Sequence, residues 1–335
     1  MGVALTKIVP KHEIKIEALN GKIVAIDASN ILYQFLSSIR QQDGTPLKDG
    51  NGNITSHLVG LSSRIPNLMS RGLKICFVLD GKSPELKFKE QGDREIRKQT
   101  AEAKLEQAKA EMDEELMHKY SMQTTRLTKE MIRESVELIT NFGIPVIQAP
   151  SEAEAQAAFM TKENDVYAAV SQDYDSLLFG AVRVVRNLTI SQRKKLPGGS
   201  TISVKPEIIE LKEVLSTLGI NQEKLIIMGI LIGTDFNSKG VKGIGPKNAL
   251  KLVKQYKNYD ELFKKVNADF DWKEIYEIFK KIPVNKKYDL KWDNVNEDRV
   301  REILIENHDF SKERVDKIFE TLGRKTGQSG LDKWF

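Results

Sequence analysis

The chain has 335 residues, 40% of them hydrophobic and 30% charged, which is enough to bury a sizeable core in about two domains. Its 52 Lys and Arg against 47 Asp and Glu leave a net charge of +5, and a single cysteine, Cys76, excludes an internal disulfide. No run approaches the roughly 18 apolar residues that a membrane helix needs, and the N-terminus has no signal-peptide pattern.

Three apolar, β-rich runs each end at an acid. Ile23–Ile26 runs into Asp27, Ile75–Leu79 into Asp80, and Val166–Ser171 into Asp173 and Asp175. Continuous apolar strands separated by helical segments predict a mostly parallel sheet covered on both faces, an α/β fold. The segment Ile31-Leu32-Tyr33-Gln34-Phe35 reads as a buried helix, which by itself would place Tyr33 in the core. Cys76 sits inside an apolar run and reads as a buried structural thiol in a reducing compartment.

Residues 82–134 follow, with 12 basic and 12 acidic residues and few aromatics. So long a charged stretch between two strands predicts an exposed helical insertion. Within it Lys87, Arg94 and Lys98 are spaced by seven and four, which puts Arg94 and Lys98 each within about 20° of Lys87 on a helix. Such a stripe is either a grip for phosphate or a solvated ridge paired with Glu90 and Glu95.

A short strand, Ile144–Ile147, precedes Pro150 and a new helix, at whose start Ser151 and Glu154 fit a capping box. Ala181–Arg186 is a further predicted strand. Residues 236–287 hold 13 Lys and six acids, a local +7. There Gly243-Ile244-Gly245-Pro246-Lys247 opens a helix, where backbone N–H groups either face a phosphate or simply make a turn. From Gly323 the chain reads as a tether that ends in Leu331, Trp334 and Phe335, spaced for one face of a single helical turn.

Acids at the carboxyl ends of parallel strands collect along one edge, where open α/β sheets place their ligands. Asp27, Asp80, Glu152, Glu154, Asp173, Asp175 and Asp235 would then crowd together and raise one another's pKa. Asp27 also fits a helix cap, and Asp173 and Asp175 fit turn positions. A hard divalent cation such as Mg²⁺ relieves such crowding, and two of them suit hydrolysis of a phosphodiester. With no His or Cys cluster, zinc does not fit.

Five motifs in order resemble those of the flap endonucleases, structure-specific 5′ nucleases of the xeroderma-pigmentosum type. They are Ile26-Asp27-Ala28-Ser29, Val78-Leu79-Asp80-Gly81, Ala149-Pro150-Ser151-Glu152-Ala153-Glu154-Ala155, Ser171-Gln172-Asp173-Tyr174-Asp175 and Gly233-Thr234-Asp235. The resemblance covers nearly the whole chain and implies two-metal cleavage of 5′ flaps, with 5′-3′ exonuclease activity, in replication and repair. It implies that Asp27, Asp80, Glu152 and Glu154 serve the first metal, and Asp173, Asp175 and Asp235 the second. The metals would be Mg²⁺, with Mn²⁺ able to substitute.

The same resemblance makes Lys87 and Arg94 catalytic, on a helical gateway and cap formed by residues 82–134. Tyr33 becomes a base-stacking aromatic and Lys98 a DNA contact. Residues 233–287 become a helix-two-turn-helix element that holds duplex DNA through Gly243, Gly245 and Lys247, with a bound monovalent cation. Residues 1–322 then form one nuclease domain. The 323–335 tail carries a box for a sliding clamp of the proliferating-cell-nuclear-antigen type, with Gln328 as polar plug beside Leu331, Trp334 and Phe335. A monomer, in the cytoplasm of an archaeal cell, is the expectation that goes with it.

Overall fold

A computed structural model describes residues 3–41, 43–189, 193–195 and 201–328. In chain order the elements begin with β1 (His12–Glu13), β2 (Ile23–Asp27), α1 (Ala28–Ser38), α2 (Ser56–Ser70) and β3 (Lys74–Leu79). Next come α3 (Leu86–Ala110), α4 (Glu114–Gln123), α5 (Lys129–Asn141), β4 (Val146–Gln148), α6 (Ala153–Lys162), β5 (Ala168–Val170) and α7 (Asp175–Leu178). Strands β6 (Arg183–Arg186), β7 (Arg193–Lys195), β8 (Thr201–Ser203) and β9 (Glu207–Glu210) precede helices α8 (Leu211–Leu218) and α9 (Gln222–Ile232). The C-terminal part is helical: α10 (Pro246–Gln255), α11 (Tyr259–Lys265), α12 (Trp272–Lys281), α13 (Glu297–Arg301) and α14 (Lys312–Gln328).

Seven strands form one sheet in the order β1-β9-β6-β5-β2-β3-β4. The pairings from β6 across to β4 are all parallel, and β9 is antiparallel to both β6 and β1. The sheet is therefore mostly parallel, as the apolar runs predicted, with a reversed strand toward one side. Alternation explains why the runs are apolar throughout. Val24, Ile26, Ile75 and Phe77 point into a core built with α1, α2, α5, α13 and α14. Ala25, Cys76 and Val78 point into the opposite core, built with α6, α7 and α9 to α12. With both faces buried, no polar alternation remains.

Helix α9 is apolar on every side, and Leu225 to Leu231 are buried without a break. It is the central helix of its core and delivers the chain to Asp235 at its end. Helix α3 is the opposite case: among the described side chains of its 25 residues the buried ones are Glu90, Ala101 and Ala108. With α4 it projects from the body, held there in part by Arg40. That guanidinium donates to the Gly44 carbonyl (2.8 Å), to Ser121 Oγ (2.6 Å) and to Thr125 Oγ1 (2.5 Å).

The structure corrects several boundaries. The insertion ends before residue 134, because α5 starts at Lys129 and buries Met131, Ser135, Leu138 and Ile139 in the core. Those positions recur at helical spacing, so the segment is amphipathic, not solvated throughout. The tail starts later than Gly323, since α14 continues to Gln328 with no proline to stop it. The fourth strand is shifted to Val146–Gln148. Strand β9, Glu-Ile-Ile-Glu, has only two apolar residues between two acids and carries no strand signal in the sequence.

Candidate active site

The loops at the carboxyl edge of the sheet carry the acids. Asp27 ends β2 and caps α1, accepting from the Asn30 backbone N–H (2.9 Å). Asp80 follows β3, and its Oδ1 accepts from the Ala153 N–H (2.8 Å). Glu152 is the N-cap residue of α6 and Glu154 lies in its first turn. The capping box does not form: the Ser151 hydroxyl donates to the Lys82 carbonyl (3.1 Å) instead. That bond, with Gly81 N–H to the Ser151 carbonyl (2.6 Å), ties the turn before α3 to the turn before α6. Only glycine fits there, because a Cβ at Gly81 would lie 2.3 Å from the Ala149 carbonyl oxygen.

Asp173 and Asp175 sit in the turn after β5. Asn30 bridges this turn to β2: its Nδ2 donates to Asp173 Oδ2 (3.1 Å) and its Oδ1 accepts from the Gln172 N–H (3.2 Å). Asp175 accepts from the Val3 N–H (2.7 Å). Glu154 accepts from Ser171 Oγ (2.7 Å) and Ser176 Oγ (3.2 Å). Arg186 of β6 steadies the same turn, donating to the Gln172 carbonyl (3.0 Å) and to the Tyr174 hydroxyl (2.6 Å). Asn30, Ser171, Ser176 and Arg186 escape a sequence reading, because each acts on a residue brought near by the fold.

The acids feel one another. Burial, then Asp80 and Asp173, raise the Asp27 carboxyl well above its ordinary range. Burial, then Asp175, Asp173 and Asp27, do the same to Glu154. Asp175 is pushed up to about 7, by burial first and then by Asp235. Glu152 is raised by burial, against the opposing pull of Lys87. At Asp235 burial acts upward, but the surrounding cations, Arg94 and Lys87 among them, outweigh it and lower the carboxyl.

Those two cations come from α3. Lys87 donates to Glu152 Oε2 and lies 3.5 Å from Asp235 Oδ2, and Arg94 Nη2 donates to Asp235 Oδ1 (2.7 Å). The stripe is therefore not a solvated ridge at these two positions. Lys98 takes a different target, with its Nζ 5.6 Å from the centre of the Tyr33 ring. Tyr33 is 41% exposed and not a core residue, which corrects the reading of its helix as buried on that side.

All the donors in this cluster are carboxylate oxygens, a set that suits a hard divalent cation. Among the described residues no three acids, histidines or cysteines are arranged to hold an ion by themselves. Mg²⁺ does not require it, since it keeps several waters and takes only one or two carboxylates directly. Burial first and mutual repulsion second lift Asp27, Glu154 and Asp175, and carboxylates crowded together in this way fit bound cations here.

Away from this edge, Gly245 is the N-cap residue of α10, Pro246 opens the helix, and no side chain caps it. Gly243 has φ +80, a left-handed conformation that favours glycine. Gly245 has φ −94, and a Cβ there would touch nothing within 4 Å. Lys242 and Lys247 are exposed beside it. Gln328 is the last residue of α14, and Leu331, Trp334 and Phe335 lie outside the described residues.

Two family models match the chain, the XPG N-terminal domain over residues 1–101 and the XPG I-region over residues 143–235. Together they span all seven acids and both α3 cations. Flap endonuclease 1 of Thermococcus onnurineus is 49% identical over 339 residues, covering 100% of this chain and 99% of that protein. The chain belongs to the flap endonuclease family. It is similar to the solved flap endonuclease-1 from Methanococcus jannaschii, at 40% identity and a TM-score of 0.76, covering 97% of this chain and 100% of that one. The catalytic core of Rad2 in complex with DNA substrate shares the fold, at 24% identity and a TM-score of 0.69, covering 93% of this chain and 96% of that one. As a flap endonuclease family member the chain is a nuclease, a hydrolase acting on DNA, from a family whose nucleases depend on metal.

Proposed function

We propose that the chain is a structure-specific endonuclease that removes 5′ flaps from branched DNA, and a 5′-3′ exonuclease, in Okazaki fragment processing and repair. One observation carries this reading: Lys87 and Arg94 of the projecting helix α3 meet Glu152 and Asp235 at the sheet edge. A strand passing between α3 and the body would present its phosphate to both charges at once. Asp27, Asp80, Glu152 and Glu154 would serve one Mg²⁺, and Asp173, Asp175 and Asp235 a second, one or two of them directly and the rest through the ion's waters, with Mn²⁺ able to substitute. When bound, such a pair supplies an activated water and neutralises charge on the leaving oxygen.

The chain's own groups do the rest. Lys87 and Arg94 neutralise the scissile phosphate as charge develops on it. Tyr33, exposed and next to Lys98, stacks on a base near the cut. The uncapped start of α10, with Gly243, Gly245 and Lys247, grips the uncut duplex by its backbone, with a monovalent cation at the turn. Gln328, Leu331, Trp334 and Phe335 bind a sliding clamp of the proliferating-cell-nuclear-antigen type, and the enzyme acts as a monomer on the chromosome in the cytoplasm.

A labelled DNA gel tests the reading. Flapped, blunt and single-stranded substrates are incubated with Mg²⁺ or with chelator. The expected result is cleavage near the flap junction, with Mg²⁺ only and with the flapped substrate preferred. Equal cutting of all three substrates would overturn flap specificity, and cutting in chelator would overturn the metal site.

A further inference from the structure

Glu90 is buried on α3, 6% exposed, in a helix half whose neighbouring positions are partly or fully exposed where described. A carboxylate is a costly group to bury unless it is paired. Its Oε1 accepts from Arg94 Nε (3.0 Å) and from Arg97 Nη2 (2.7 Å). Burial pushes the Glu90 carboxyl up, but donors from Ser238, Arg97 and Arg94 outweigh it and keep it ionised. An ordinary helical pair four residues apart is solvent-exposed and contributes little. This one is buried, and one of its partners faces the active site.

The geometry of the guanidinium gives the pair its consequence. Arg presents its donors from a rigid planar fork, so fixing Nε fixes where the Nη groups point. With Nε on Glu90, Arg94 turns Nη2 onto Asp235 Oδ1. Without Glu90, the long side chain regains rotamers that point to solvent, and Arg97 loses the same anchor.

We propose that Glu90 is a positioning residue for the nuclease reaction, acting through Arg94 by fixing the plane of its guanidinium against the active site. The inference rests on the reading of Arg94 as a group that faces the scissile phosphate. It extends the machinery by a residue outside the acid cluster, whose hydrogen bonds run to Arg94 and Arg97.

A double-mutant cycle on the full-length chain tests it, read by single-turnover cleavage of a 5′-flap substrate with Mg²⁺ and by equilibrium binding of the same DNA with Ca²⁺. Glu90→Ala is expected to slow cleavage on the order of tenfold or more, the scale of a misplaced catalytic group, while the flap Kd changes less than about threefold. Glu90→Gln keeps the shape and one acceptor, so it is expected to fall between wild type and Glu90→Ala, and it carries the test if the alanine variant does not fold. In an Arg94→Ala background either change is expected to add less than about twofold. A full additional loss in that background, with Arg94→Ala alone already slow, would overturn this inference and leave the role of Arg94 standing. An Arg94→Ala enzyme at the wild-type rate would overturn that role, and this inference with it.

Discussion

Lys87 and Glu152 form an ion pair between the first turn of α3 and the start of α6, and the same ammonium lies 3.5 Å from Asp235. One side chain on the projecting helix therefore touches acids delivered by two separate loops. Burial depresses the basicity of Lys87, but Glu152 and Asp235 reverse the effect and hold it protonated. The arrangement fixes a cation between the two loops, so the role proposed for Lys87 needs no rearrangement during reaction.

Replacing that cation should reveal its role. Lys87→Ala and Arg94→Ala are each expected to lower the single-turnover rate by roughly 10²–10³, with much smaller losses in flap affinity. Rates within about threefold of wild type would return both residues to a structural role.

The raised carboxyls give a pH signature. Burial and then Asp235 push the Asp175 carboxyl up to about 7 from an ordinary 3.8, and Asp27 and Glu154 are raised in the same direction. A raised acid binds its proton more readily folded than unfolded, so protonation favours the fold. That contribution is complete below the unfolded value and is lost as pH rises through the folded one. In chelator the melting temperature should therefore fall as pH rises from about 4 to about 7. Mg²⁺ replaces the proton at these oxygens, so it should raise the melting temperature more at the higher pH. An equal Mg²⁺ shift at both pH values would contradict the coupling.

Gly245 offers a clean test of the duplex contact. Its backbone needs no glycine and a Cβ meets nothing within the protein, whereas Gly243 is held at φ +80. Gly245→Val should leave the melting temperature within about 2 °C, because no buried contact changes, yet weaken binding of duplex-bearing DNA by blocking approach to α10. Equal losses for flapped and single-stranded DNA would show that α10 is not a duplex clamp.

Much of the site is legible in the sequence because both faces of the sheet are buried. The strands are uninterrupted apolar runs, so an acid at the end of each stands out. Lys87 and Arg94 are legible as a stripe. What the stripe faces is not, because Asp235 arrives from a loop 141 positions later. Asn30 reads as an ordinary helix start, although it joins Asp173 and the Gln172 N–H to the β2 end. Glu90 reads as a surface partner of Arg94, because only the folded chain shows that it is buried. Tyr33 lies in an apolar run, and its exposure depends on how α1 meets α2 and the sheet. Ser151 matches a capping box but bonds across to Lys82, a tertiary contact that overrides the local motif.

The C-terminal residues have their own test. Removing residues 328–335 should abolish binding to a sliding clamp in calorimetry and abolish clamp stimulation of flap cutting, because tethering acts through local concentration. A truncated chain with an unaltered clamp Kd would place the contact elsewhere.

In the proposed reaction the sheet-edge acids run the chemistry while basic residues hold the DNA. Asp173 tests it best, since it raises the carboxyls of both Asp27 and Glu154 and bonds to Asn30. The measurement is Asp173→Ala in parallel single-turnover cleavage and equilibrium flap binding. Cleavage should fall by more than about 10³, with flap affinity unchanged or tighter as one source of repulsion on phosphate is removed. Cleavage within about tenfold of wild type, with the fold intact, would contradict a reaction run by these carboxylates.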